Sequence, residues 1–151
     1  MPTRSRNSRA EKRTLNTFIK LTRCVNSVFA QLSARQTIDD LTPSQFSVLE
    51  ALYHVGSMTQ GKISHKVLKS GSNLTTVIDH LERDGYVRRE RDETDRRVIH
   101  VRLTKAGTDK IESVLPGHFG ALVEIFSVLS PSEQEMLGEL CKKLGKGKDT
   151  V

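Results

Sequence analysis

The chain has 151 residues, 36% hydrophobic and 28% charged, a balance that suits one compact domain and excludes a disordered or fibrous chain. No apolar run approaches the roughly 18 residues a membrane-crossing helix needs, and no apolar segment follows the basic start as in a secretory signal, so a cytoplasmic location is expected. The formal charge of +6 is unevenly placed: residues 1–23 hold seven basic side chains and one acidic, residues 62–105 are basic again, and the segments flanking that middle are acidic.

Residues 1–10 read as a basic, flexible arm that either tracks phosphates or is simply solvated. From about 11 to 35, Leu15, Phe18, Ile19, Val25, Val28, Phe29 and Leu32 recur at spacings of three and four, which predicts a long amphipathic helix. Thr42-Pro43-Ser44-Gln45 then reads as a helix start, with Thr42 capping, Pro43 in the first turn and Gln45 closing a capping box. That helix is expected to bury Phe46, Leu49, Leu52 and Val55 and to stop at Gly56.

A short helix from about Thr59 to Leu68 turns Ile63, Val67 and Leu68 inward, and another from about Ser72 to Asp84 buries Leu74, Val77, Ile78 and Leu81 before Gly85. The period then changes. Tyr86 to Glu90 is strand-like, and Ile99, Val101 and Leu103 alternate with His100 and Arg102, as in a strand with one buried face. Residues 91–97 between them are wholly polar. Helix, turn, helix and a charged hairpin define a mainly α fold with a small β wing, a winged helix-turn-helix over about 43–104.

From 105 to 146 the helical spacing returns, with a kink or break expected at Pro116-Gly117 and a second capping box at Ser130-Pro131-Ser132-Glu133. Met136, Leu137, Leu140, Cys141 and Leu144 form the last stripe expected to be buried. The helices of about 11–35 and 105–146 carry more apolar surface than so small a winged helix can cover, so they are read as dimerisation helices pairing with a second copy.

The chemistry of catalysis is missing at any recognisable spacing, whether nucleophile with base, paired carboxylates or phosphate-binding loop, so an enzyme is not expected. Cys24 and Cys141 are too far apart to suggest a metal site or disulfide framework and are expected to be reduced thiols packed on helix faces. The five histidines form no pair on one helical face, so neither a metal nor a cofactor is predicted. In the second helix of the helix-turn-helix, setting aside the apolar positions leaves Ser72, Asn73, Thr75 and Thr76 as the side chains best suited to base edges or phosphates, with Ser70 just ahead as a phosphate donor. Asp79 has the wrong charge for a phosphate and is expected in an internal salt bridge or helix contact. Of Arg88 and Arg89, on opposite strand faces, one can face DNA.

The stretch Asp92-Glu93-Thr94-Asp95-Arg96-Arg97-Val98-Ile99-His100-Val101-Arg102-Leu103-Thr104-Lys105-Ala106-Gly107 resembles the wing signature of the MarR (multiple antibiotic resistance regulator) family, D-x-x-D-x-R followed by V-x-L-T-x-x-G. Ser72 to Val87 resembles that family's recognition helix and first wing strand. The resemblance implies a homodimer on double-stranded, pseudo-palindromic DNA, and transcription regulation, most simply repression. It assigns minor-groove insertion to Arg97, oriented by Asp95, with Arg91 and Arg96 near phosphates. It also implies release by a small aromatic effector or by oxidation of a thiol in the first helix, for which Cys24, Tyr53 and His118 are the candidates. The rival reading is a winged helix used for contacts with an acidic protein.

Overall fold

The computed structural model describes residues 8–67 and 71–147, apart from the side chains of residues 71 and 72. In chain order the elements are α1 (Arg9–Ala34), α2 (Pro43–Val55), β1 (Met58–Thr59), α3 (Gln60–Val67), α4 (Gly71–Arg83), β2 (Val87–Arg91), β3 (Ile99–Leu103), α5 (Lys105–Phe126) and α6 (Pro131–Lys146). They form two compact units, Thr37–Phe119 and the residues outside it, with α5 passing from one to the other.

The Thr37–Phe119 unit carries the core. Leu49, Ile63, Leu74, Ile78, Leu81, Val101 and Ile111 are almost wholly shielded and come from every helix and the central strand of this unit. Capping fixes where α2 begins: the Thr42 hydroxyl accepts from Gln45 N (3.1 Å) and the Gln45 side chain accepts from Thr42 N (2.9 Å). Three antiparallel strands follow in the order β1-β3-β2, with Met58 opposite Val101 and Val87 opposite Leu103. The alternation of β3 puts Val101 inward, while Ile99 toward the tip is 41% exposed, contrary to its expected burial, because the hairpin projects past the helices that cover its base. Strand β1, only two residues long, gives no periodicity and was not anticipated from sequence.

The joint between wing and α5 explains the L-T-x-x-G pattern. Thr104 Oγ1 donates to Gly85 O (2.5 Å) and accepts from Gly107 N (3.1 Å), while Thr104 N donates to Tyr86 O (3.1 Å). A Cβ at position 107 would lie 1.9 Å from Tyr86 O, so only glycine lets the first turn of α5 sit against this carbonyl. Gly85, at φ +80°, makes the left-handed exit from α4. Helix α5 continues through Pro116 as one element rather than two, its flanks held by buried Val114 and Leu115.

The other unit consists of α1, the end of α5 and α6. Helix α1 starts at Arg9 rather than Glu11, because Ser8 and Glu11 form a reciprocal capping box; residues 8–10 are therefore cap and first turn, not arm, and residues 1–7 lie outside the description. No residue of α1 or α6 is buried within the chain. Phe18 (62%), Phe29 (60%), Met136 (66%), Leu140 (58%) and Leu144 (66%) are exposed, so the α1 and α6 stripes are open within the single chain. Both cysteines are exposed rather than packed, since they share these uncovered helices. Arg35 closes the unit by donating to Ala121 O and Glu124 Oε1, each at 3.2 Å.

One further expectation changes, and another falls outside the described residues. Val55 is half exposed and lines an open groove of about 500 Å³ with Met58, Gly61, Lys62 and Lys66. Leu68 lies outside the described residues. Among the described residues no single helix is long and apolar enough to cross a membrane.

Candidate nucleic-acid interface

Helix α4 is amphipathic in the required sense: Leu74, Ile78 and Leu81 are buried, and Asn73, Thr75 and Thr76 are exposed on the opposite side. Ser70 lies outside the described residues, as does the side chain of Ser72, so neither can be placed. Thr75 is bridged to α3, accepting from Gln60 Nε2 at 2.5 Å. Sequence periodicity did not single out Gln60.

Behind α4, Arg89 is the inward member of its pair. Its guanidinium donates to Asp79 Oδ1 (2.6 Å) and Glu82 Oε1 (3.0 Å), and its backbone N–H to Glu82 Oε2 (2.8 Å). Partial burial, the largest single influence, lowers the Arg89 pKa, but the hydrogen bonds and charges of Asp79 and Glu82 together outweigh it and raise the pKa. Asp79 is thus engaged with β2. Arg88 faces the other way, pairing with Glu90 (2.7 Å), which also meets Arg102 (3.6 Å).

At the wing, Asp92 organises the turn. One carboxylate oxygen accepts from Thr94 N (2.9 Å), Thr94 Oγ1 (2.6 Å) and Asp95 N (3.0 Å), and the other meets His100 Nε2 at 2.9 Å. These bonds, with the Thr94 hydroxyl foremost, hold the Asp92 carboxyl far below the usual carboxylate range. The Asp-x-Thr spacing is a readable turn signal, whereas the partnership with His100 depends on register across the hairpin. Asp95 then grips Arg97: Oδ1 accepts from Arg97 N (3.0 Å) and Nε (3.1 Å), Oδ2 from Nη2 (3.2 Å). The bond to Arg97 likewise lowers the Asp95 pKa. The Arg97 side chain is nevertheless 91% exposed. A guanidinium has five N–H groups, so the fork with Asp95 uses two and leaves three directed elsewhere. Arg96 is exposed, and its carbonyl accepts from Arg91 Nη1 at 3.4 Å.

The three effector candidates fall in different surroundings. Cys24 belongs to the terminal-helix unit. In the other unit the Tyr53 hydroxyl donates to Glu112 (3.1 Å), which raises its pKa. His118 Nδ1 lies 3.0 Å from Thr37 Oγ1, its ring is 4.5 Å from that of Phe46, and burial lowers its pKa. Among the described residues no group of three or more His, Cys, Asp or Glu could hold a metal ion.

A helix-turn-helix whose second helix exposes short polar side chains, followed by a hairpin presenting an oriented guanidinium, is a winged-helix nucleic-acid-binding domain. Comparisons with known proteins refine that class. Residues 41–99 match the MarR family profile. The HTH-type transcriptional regulator MhqR of Bacillus subtilis is 34% identical over 134 residues, covering 89% of this chain and 92% of MhqR. Among solved structures, AbsC of Streptomyces coelicolor, described as a MarR family transcriptional regulator, superposes with a TM-score of 0.78 at 24% identity, covering 93% of this chain and 95% of AbsC. BpsR of Bordetella bronchiseptica, whose DNA binding is described as regulated by 6-hydroxynicotinic acid, gives 0.72 at 25% identity, covering 83% and 98%. The chain belongs to the MarR family and is a DNA-binding transcription regulator of it.

Proposed function

We propose that the chain is a homodimeric repressor that binds a pseudo-palindromic operator and is released by a small aromatic ligand. In this reading Asn73, Thr75 and Thr76 of α4, with Ser70 and Ser72 ahead of them, contact the major groove. Arg97, oriented by Asp95, enters the minor groove, with Arg91 and Arg96 on the phosphates. The observation that carries it is the Asp95–Arg97 fork on a highly exposed side chain: the guanidinium is oriented in advance and keeps three donors for the narrow groove, where negative potential is enhanced. The uncovered apolar faces of α1 and α6 support the dimer, because a two-fold pair lets one patch cover its copy. The description of BpsR supports an aromatic effector. Exposure of Cys24 on α1 favours a second release route, oxidation of that thiol; release by peroxide that persists in Cys24→Ser rules this route out.

The test is a gel-shift titration on DNA selected from a random library. Arg97→Ala is expected to weaken binding by about tenfold or more while unfolding free energy changes by no more than about 0.5 kcal/mol. Unchanged affinity overturns the wing assignment. Selection that enriches no sequence, together with capture of an acidic protein competed by salt, favours the protein-contact module instead.

A further inference from the structure

The Gln60–Thr75 bond joins the first residue of α3 to the exposed face of α4, and nothing in the wing or in α4 alone accounts for it. Both ends are fixed. Gln60 follows β1, whose Thr59 is paired with His100 of β3; the Thr59 hydroxyl accepts from Lys62 N at 3.3 Å, and Ile63 one turn on is fully buried. Thr75 sits between buried Leu74 and half-buried Val77, which keeps its side chain on the outer face. A glutamine side chain held at both ends in this way has lost most of its rotamer freedom before any ligand arrives.

The direction of the bond decides what Gln60 can offer. The Nε2 group has two protons, and Thr75 Oγ1 takes one of them. No described residue bonds Oε1. The amide therefore retains one donor and one acceptor side by side, the pair that matches N7 and N6–H of adenine in the major groove. The first helix of a helix-turn-helix lies across the DNA backbone beside the groove that the second helix enters, so its N-terminal residue stands at the groove edge. We propose that Gln60, buttressed by Thr75, is a specificity-determining residue that reads one adenine in each half-site. Thr75 is then a positioning residue for Gln60. The inference rests on the DNA-binding reading above.

The experiment compares base preferences of the full-length protein and its variants, selected from a random duplex library and confirmed by titration on single-base variants of the resulting site. In the unaltered protein, one position per half-site should prefer adenine by about 5- to 150-fold. Gln60→Ala should abolish that preference while leaving the others in place. Thr75→Val, which removes the acceptor, should reduce it, and Thr75→Ser should restore it. Circular dichroism melts check that each variant folds. Retention of every preference in Gln60→Ala overturns the proposal, as does an equal loss on all sequences, which marks a backbone contact only. If the unaltered protein selects no sequence, the DNA reading itself fails, an outcome distinct from both.

Discussion

Replacing Gly107 by alanine sets two effects of opposite sign against each other, and the structure says which wins. Within a helix, alanine is favoured over glycine by about 1 kcal/mol, so propensity alone predicts a gain. The new Cβ, however, would stand 1.9 Å from Tyr86 O and 2.9 Å from Tyr86 C, both backbone atoms that cannot swing aside as a side chain does. Reaching even 3.0 Å needs a shift of 1.1 Å (3.0 minus 1.9), and that shift strains the bonds from Thr104 to Gly85 O and Tyr86 O. Overpacking costs about 1–3 kcal/mol and the two hydrogen bonds, if lost, about 1 kcal/mol each; less the roughly 1 kcal/mol helix gain, the net loss is about 2–4 kcal/mol. For a chain of this size that lowers Tm by roughly 4–16 °C. Gly61 is the internal control: nothing lies within 4 Å of its added Cβ, so Gly61→Ala should stabilise by about 0.5–1 kcal/mol. Thermal melts at one protein concentration read both. If Gly107→Ala is as stable as the unaltered protein, the close approach of α5 to Tyr86 is refuted.

Phe29→Glu and Leu140→Glu, which place a charge on faces exposed in the single chain, should convert a dimer to monomer in analytical ultracentrifugation; a persisting dimer places the interface elsewhere. Asp92→Ala should speed hydrogen exchange at residues 94–97 and weaken DNA binding in the same direction as Arg97→Ala, because the turn holding Asp95 loses its acceptor; unchanged exchange refutes that dependence. His118 binds its proton less readily when folded, mainly through burial, with Glu50 opposing. The unfolded chain therefore holds more protons just below pH 6.5; stability should fall as pH drops through that value, and His118→Gln should flatten this slope in melts across pH 5–7.5.

How much was legible in the sequence depended on the range of the interaction. Capping boxes are local, and those at Thr42 and Ser130 were read correctly because donor and acceptor lie three residues apart. The box at Ser8 was overlooked beneath the basic composition of the arm. Helical periodicity identified the apolar faces of α1 and α6 and their excess over what one winged helix can cover, and residues such as Leu140 are open within the single chain. Register across the hairpin is non-local, which is why the Asp92–His100 pair was not foreseen. The α3–α4 link through Gln60 and Thr75 was hidden for the same reason: 15 residues separate its ends.

The basic middle segment is less positive toward a ligand than its residue count suggests. Arg83, Arg88, Arg89, Arg102 and Lys105 each have a carboxylate partner, at distances from 2.6 to 3.6 Å. A paired cation must surrender that partner to neutralise a phosphate and gains little by the exchange. Among the described residues of 62–105, Lys62, Lys66, Arg91 and Arg96 have no such partner, and Arg97 keeps three donors despite its fork. With Arg97 held by Asp95 and assigned to the groove, at most four phosphates per protomer can then be neutralised from these residues, a salt slope of about −3.6 at roughly −0.9 each. Two of the five cations lie on α3, beyond Gln60, and three at the wing. Asn73, Thr75 and Thr76, on the exposed N-terminal half of α4, carry no charge themselves, so the unpaired cations lie on α3 and at the wing rather than on that half of the helix.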